Sequence, residues 1–285
     1  MAETVPQLLT RLTAAFETVP PEPWISARTQ NARSPAFLLG FPRSGTTLLG
    51  VILASRPDTA VIEEKPLLDA AVAEYAHAED GPAKLAAASE ADLERHRAEF
   101  WQRAERYGTD TAGKLVIDQM PLNSVNLPVI RRVFPDAPII FALRDPRDVV
   151  FSCFRRLFAP NRFMLEFHAL DSAANLYDAT MRLADIARSR LGVQTFDIKN
   201  ETLIGDFDAE TKRLCRYLGL PWDESVRDFH KAARDRTLVT RSATQVRRGL
   251  NRDGVGAWRR YEEEMAPVLP ILEPWVKRFG YESAP

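Results

Sequence analysis

The feature that most constrains this chain is a short apolar run, Ala36–Phe41, that passes through a tight turn directly into the helical stretch Thr46–Ser55. The turn reads Gly40-Phe41-Pro42-Arg43-Ser44-Gly45-Thr46-Thr47. A strand feeding a helix through such a turn points successive backbone N–H groups, and the positive end of the helix, at one small volume where an anion is favoured. Glycine, four residues and a second glycine make the spacing of a phosphate loop. Nucleotide triphosphatases place lysine next, to answer the β- and γ-phosphates, whereas this chain has Thr46. A loop without that lysine suits an anion less charged than a triphosphate. The alternative is a glycine-rich turn that binds nothing.

Three more short apolar runs, Leu115–Ile117, Pro138–Leu143 and Val193–Ile198, alternate with stretches of helical periodicity. The expected fold class is therefore α/β, a P-loop-like central parallel sheet with helices on both faces and ligands at the carboxyl ends of its strands. Glu64–Tyr107, rich in alanine and glutamate, reads as two helices, and Trp258–Phe279 as helix interrupted near Pro267 and Pro270. Ahead of the domain at 36–285 lies a segment, 1–35, with apolar residues at helical spacing (Leu8, Leu9, Leu12, Ala15, Phe16) and then a connector holding four prolines. This arm reads either as a helix packed on its own domain or as a docking element, which leaves a homodimer as an expectation.

Composition removes several function classes. Thirty-eight basic against 39 acidic side chains give a formal net charge of −1, without the basic excess of a general nucleic-acid or membrane-surface binder. Arg236–Arg252 is basic only locally. Cys153 and Cys215, the two cysteines, lack redox or metal spacing, and no His/Cys/Asp group has metal-ligand spacing, so no metal is expected. Met1–Thr10 lacks the basic start and apolar core of a signal peptide, and no apolar run reaches the length of a membrane span. A cytoplasmic protein is expected.

A second anion site is legible at Leu143-Arg144-Asp145-Pro146. Here a strand end offers a guanidinium, which matches phosphate oxygens in a bidentate, charge-assisted way. Ser152 follows two helical turns on, and Arg156 one turn further on the same face. Asp145 and Pro146 also read as a helix cap and first helical residue, which is compatible with phosphate binding.

Phe41–Thr47 resembles the 5′-phosphosulfate loop of sulfotransferases that use 3′-phosphoadenosine 5′-phosphosulfate (PAPS), and is most similar to the branch holding tyrosylprotein sulfotransferases and their bacterial relatives. Leu143–Ser152 resembles that family's 3′-phosphate site. Gln245-Val246 and Gly256-Ala257-Trp258 are similar to its closing segment. The resemblance spans about residues 36–280 and implies PAPS as donor, 3′,5′-adenosine bisphosphate as product, and a small-molecule or peptide acceptor with a hydroxyl or phenol. Pro42, Arg43, Ser44, Gly45, Thr46, Thr47, Arg144, Ser152, Arg156, Gln245 and Trp258 are then expected to hold the donor. Glu63, the first of the pair Glu63-Glu64, is carried over as the base, since a carboxylate with a raised pKa is a competent general base. Ser242 is carried over as a transition-state donor. His168 is a rival base; His77, His96 and His230 read as helix-surface residues.

Three positions depart from the family. Its lysine, in an Asp-Lys-x-Pro segment, stands here as Gln119 in Asp118-Gln119-Met120-Pro121. Its Tyr-Glu-x-Leu segment appears as Asn200-Glu201-Thr202-Leu203, and the basic residue before the closing tryptophan is Ala257. A preorganised donor is worth roughly two to three decades in rate, so turnover at the position of Gln119 is expected to be reduced. Two readings stand beside the enzyme: a nucleotide-binding module with decayed chemistry, and a P-loop nucleotide kinase, which Thr46 disfavours.

Overall fold

The computed structural model of this 285-residue chain describes residues 3–25, 33–107, 110–159, 161–231 and 250–282. Five strands form a single sheet: β1 (Ala36–Gly40), β2 (Thr59–Glu63), β3 (Leu115–Gln119), β4 (Ile139–Leu143) and β5 (Phe196–Lys199). Their order is β2-β3-β1-β4-β5 and every pairing is parallel. β1 and β4 are buried along their whole length, as the apolar runs on both faces require. The chain winds to one side of β1 through β2 and β3, then to the other through β4 and β5. The switch point of the sheet therefore falls at the carboxyl end of β1, where the glycine-rich turn begins.

Alternation along the strands divides the core. Leu38, Val61, Ile117, Ile140 and Ile198 face one side with α3 (Thr46–Ala54), α10 (Asn200–Gly205) and α11 (Phe207–Tyr217). Phe37, Leu39, Ile62, Val116 and Phe141 face the other. There lie α1 (Val5–Thr18), α2 (Glu22–Ile25), α4 (Asp69–Val72), α5 (Gly81–Ala87), α6 (Glu90–Arg106), α7 (Leu127–Val133), α8 (Pro146–Phe154), α9 (Leu170–Arg190) and the closing helix Leu269–Arg278. The parallel α/β fold class holds, with helices on both faces.

β2 is the element that the apolar runs did not announce. It pairs with β3 alone, at the sheet edge, and only its short stretch Thr59–Ile62 is buried. The segment after it is also more broken than two helices: α4 runs into a π-helical turn, Ala73–His77, before α5 and α6. Glu63 ends a strand, and Glu64 takes a left-handed backbone with φ 48°, so the pair does not start a helix.

The N-terminal arm is built into the domain. A capping box between Thr4 and Gln7 starts α1, whose Val5, Leu8, Leu9, Leu12 and Phe16 are each at most 2% exposed. The helix lies along α9, and Arg11 reaches across to the carbonyls of Ala76 and Ala78 at the end of the π-helical turn. In the connector, Trp24 is fully buried and its indole N–H donates to the carbonyl of Pro128, 2.8 Å away. Among the described residues the apolar stripe of α1 is thus packed against its own domain. Leu9→Ala, at a position with no exposed surface, should lower unfolding stability by roughly 2–5 kcal/mol. Urea denaturation followed by circular dichroism measures this; an unchanged midpoint would mean that the arm is not part of the folding unit.

Candidate active site

The turn after β1 is shaped by two glycines. Gly45, φ 105°, precedes α3, and a Cβ there would sit 2.8 Å from Asn200 Oδ1. A Cβ at Gly40 would sit 2.6 Å from Ser44 Oγ and 2.7 Å from the Ala142 carbonyl. Between them Arg43, a non-glycine residue, holds φ 73°, a conformation that persists only where surrounding structure imposes it. Part of that structure is local, because the Ser44 hydroxyl and amide both donate to the Phe41 carbonyl, at 2.7 and 3.1 Å. Part is not: Cys153 Sγ donates to the Pro42 carbonyl and Arg144 Nη1 to the Arg43 carbonyl, at 3.3 and 3.1 Å. The first turn of α3 leaves N–H groups without intrahelical acceptors, and Gly45 provides no side-chain cap.

The two anion sites of the sequence meet. Arg43 Nε donates to Ser152 Oγ over 3.1 Å, joining the turn to the last turn of α8. Arg144, at the end of β4, also donates to the Gly254 carbonyl, and its Nε is buried without a hydrogen-bond partner. Burial, with the charges of Arg156 and Arg144, pushes the Arg43 guanidinium down to about 10, the nearby Cys153 thiol opposing the shift. Guanidinium groups gathered against their own repulsion, one with an orphaned N–H, suit a bound polyanion. Asp145 caps α8 through the Arg147 amide and pairs with the Arg147 guanidinium, so the cap expected at this point is present.

Trp258 is fully buried, with Arg147 over its ring at 4.4 Å. Its role here is to anchor the returning chain: Asp148 accepts from the Gly256 and Trp258 amides, at 2.7 and 3.0 Å. That strap brings Gly254 to Arg144, where a Cβ would meet Nη2 at 2.5 Å. Ser242 and Gln245 lie outside the described residues.

A cavity of about 560 Å³ opens beside the turn. Pro42, Arg43, Thr46 and Thr47 form one wall, with Glu64 after β2 and Met120, Asn123 and Asn126 after β3. Glu63 and Gln119 are not on it. They are register partners at the ends of β2 and β3, and strand alternation turns both to the α3 side. There Gln119, 2% exposed, packs so closely on Gly50 that a Cβ at Gly50 would sit 1.7 Å from its Oε1. Glu63 and Gln119 thus stand beside each other on the α3 side of the sheet, next to this cavity's rim residues but not on its lining. One residue further along each strand, the chain turns to the cavity, bringing Glu64 and Met120. The Glu64 carboxyl is raised above the usual range, by desolvation first and then by the charge of Glu63. Of the histidines, His77 lines the cavity and His168 does not.

Sequence reasoning passed over Asn123, Asn126 and the α1 residues Leu8 and Leu12 as lining residues, and it gave Glu64 no place on the cavity. The left-handed Glu64 has no signature in a Glu-Glu-Lys run. A Pro-Leu-Asn-Ser-Val-Asn stretch after an apolar run could have suggested the 3₁₀ turn Pro121–Asn126 that seats both asparagines.

A profile described as the sulfotransferase family matches residues 35–224. The chain belongs to the sulfotransferase family. An uncharacterised protein of Aquifex aeolicus is 28% identical over 270 residues, covering 89% of this chain but 34% of that protein, so the chain spans about a third of it. Protein-tyrosine sulfotransferase A of Caenorhabditis elegans is 23% identical, over 88% of this chain and 68% of the relative. Among solved structures, the sulfotransferase domain from the curacin biosynthetic pathway superposes with a TM-score of 0.56 at 16% identity, covering 89% of this chain and all of that one. A Mycobacterium avium sulfotransferase gives 0.55 at 16% identity, covering 96% of this chain and 83% of its own. These likenesses show a shared fold, and family and fold together support an enzyme of sulfuryl transfer. Among the described residues no cluster of metal ligands occurs, and no helix is long and apolar enough to cross a membrane.

Asp118 is fully buried in β3, where Asn123 Nδ2 donates to its Oδ2 over 3.4 Å and its Oδ1 has no hydrogen-bond partner. Burial pushes its carboxyl up to about 8. The folded state therefore keeps a proton that the unfolded chain releases from an ordinary value of 3.8, and stability falls as pH rises from about 4 to about 8. Asp118→Asn should flatten that fall, whose slope is on the order of 1.4 kcal/mol per pH unit. Denaturant midpoints at pH 5 and pH 8 for both proteins provide the check, and parallel curves would remove the burial argument.

Proposed function

We propose that this sulfotransferase takes its sulfuryl group from PAPS and passes it to an acceptor hydroxyl or phenol bound in the cavity. One observation carries the reading: the glycine turn, joined through Arg43 and Ser152 to the Arg144 site, forms a wall of a cavity whose neighbouring wall presents Glu64. A donor with a 5′-phosphosulfate at the turn and a 3′-phosphate by Arg144, Ser152 and Arg156 would direct its sulfur to that cavity. The α3 N–H groups and Arg43 would meet the charge that grows on the leaving phosphate, where fixed donors act most strongly. Pro42, Ser44, Gly45, Thr46 and Thr47 would contribute the backbone cradle.

Two phosphates at separate sites should make the bisphosphate product a far better ligand than a monophosphate. Arg144→Ala should weaken 3′,5′-adenosine bisphosphate by at least about tenfold, since each charge-assisted bond is worth roughly 1.5–3 kcal/mol. Binding of 5′-AMP should change less, which isolates the 3′-phosphate from any loosening of the turn. Calorimetry showing equal affinity for the two nucleotides in the unmutated protein would refute the donor assignment.

Glu64, not Glu63, is the base in this reading, because its carboxyl borders the space where an acceptor oxygen would stand. It must be ionised to act, and its pKa is raised, so kcat/KM should climb with pH through a value above the ordinary 4.5. Glu64→Gln should cost about two to four decades in turnover with bisphosphate affinity little altered. Glu63→Gln should cost less. The reverse ranking, measured by release of the bisphosphate, would return the role to Glu63.

A further inference from the structure

Asp118, one residue short of the end of β3, is a carboxyl standing where an apolar side chain would pack. Strand alternation turns it with Val116 to the α1 side of the sheet, the side of the cavity, while Gln119 goes under α3. Burying a carboxyl there costs free energy that another valine would not, so its partner decides what it is for. That partner is a side chain: Asn123 Nδ2 donates to Asp118 Oδ2 over 3.4 Å. The backbone has no need of this bond. The 3₁₀ turn Pro121–Asn126 closes on itself through the Asn123 amide, which donates to the Met120 carbonyl over 3.0 Å.

What the bond does fix is the plane and polarity of one side-chain amide. Asn126 follows three residues later, on the same edge of the 3₁₀ turn, and donates its Nδ2 to Asn123 Oδ1 over 3.0 Å. With its oxygen held by Asn126 and one amide hydrogen by Asp118, Asn123 cannot exchange oxygen for nitrogen without setting donor against donor. Its Nδ2 carries a second hydrogen, and the residue lines the cavity at 8% exposure. Glu64 lines the same cavity and is tied to the same strand end, because its amide donates to the Gln119 carbonyl over 2.8 Å. The carboxyl and the amide are thus carried together on the end of β3.

We propose that Asp118 is a positioning residue of the transfer: acting through Asn123, it holds an amide N–H that donates to the acceptor oxygen and turns the acceptor's own proton toward Glu64. This assignment rests on the sulfuryl-transfer reading of the site. The acceptor oxygen forms a bond to sulfur as the bond from sulfur to the bridging oxygen breaks. That electron pair stays on the 5′-phosphate of the departing bisphosphate, and the hydroxyl proton passes to the Glu64 carboxylate. An N–H already aimed at the oxygen answers the negative charge it gains as the proton leaves, with no reorganisation at that moment. Asn126 is the second support of the amide, and Asp118 itself touches nothing that reacts.

The test is a double-mutant cycle on Asp118→Ala and Asn123→Ala. It is read as binding of 4-methylphenol to the protein saturated with 3′,5′-adenosine bisphosphate, and as turnover of that phenol with PAPS. Asn123→Ala should weaken the phenol about three- to tenfold and lower kcat about tenfold or more, with bisphosphate affinity held within about twofold. Asp118→Ala should do most of the same alone and nothing further in the Asn123→Ala background, whereas a carboxyl that only supports the fold would add its cost in both. Asp118→Asn keeps a carbonyl that can accept from Asn123 and should restore most of the turnover. Asp118→Val, able to pack with Val116 and Val125, closes the cycle should Asp118→Ala not fold. One reading needs no variant at Asp118: the Asn123 side-chain amide signals in the NMR spectrum, assigned by their loss in Asn123→Ala, should shift when 4-methylphenol is added. Additive losses, an Asp118→Asn protein no better than Asp118→Ala, or Asn123 signals that the phenol leaves in place overturn the proposal. Bisphosphate binding to the unmutated protein is measured separately: its absence removes the donor reading, whereas binding with unmoved Asn123 signals removes the positioning role alone.

Discussion

Arg144 draws together segments that lie more than a hundred residues apart. From the end of β4 its guanidinium reaches the Arg43 carbonyl in the turn after β1 and the Gly254 carbonyl in the returning strap. With Cys153 on the Pro42 carbonyl it supports the left-handed turn from a distance, and with Asp148 on the Gly256 and Trp258 amides it holds the strap to the domain. The position is possible because β1 and β4 are neighbours in the sheet, with Gly40 paired to Ala142. A parallel pairing brings both carboxyl ends to the same edge, so two loops far apart in the chain become one surface.

That surface is assembled on a frame with little freedom. Both faces of β1 and β4 are covered, and interiors of this density do not admit a sliding strand. Rigid placement matters because a transferred group is stabilised by donors that are already aimed at it. The arm is part of the frame as well as of the cavity. Leu9 and Phe16 join the core while Leu8 and Leu12 also border the cavity, so one amphipathic helix contributes stability and a wall of the cavity together.

The departures at positions 119 and 200 gain a physical meaning from this packing. Gln119 lies under α3 against Gly50, where a neutral amide is buried at smaller cost than an unpaired ammonium. Asn200 sits over Gly45, next to the turn, and its neighbour Glu201 accepts from the Asp145 amide and the Tyr281 hydroxyl, at 3.1 and 2.8 Å. Position 200 therefore still touches the turn, and Glu201 ties the starts of α8 and α10 to the end of the chain.

Periodicity and spacing made much of this molecule legible. Strands β1, β3, β4 and β5, the parallel architecture, the phosphate turn and the Arg144–Ser152 unit all follow from local apolar runs and from residues within one turn or helix of each other, where backbone geometry leaves few choices. The edge strand β2 was hidden because its buried stretch, Thr59–Ile62, is too short to show a period. Which of Glu63 and Glu64 borders the cavity was beyond the sequence for a different reason. Adjacent strand residues point to opposite faces, and where the alternation stops depends on where the chain leaves the sheet. Likewise the packing of Arg147 over the Trp258 ring joins residues more than a hundred positions apart and has no local signature. What the sequence determined was the set of local elements and their chemistry. Which side chains share the cavity, including two leucines from a helix that reads as a separate arm, was decided only when distant elements packed and each residue acquired an inside and an outside.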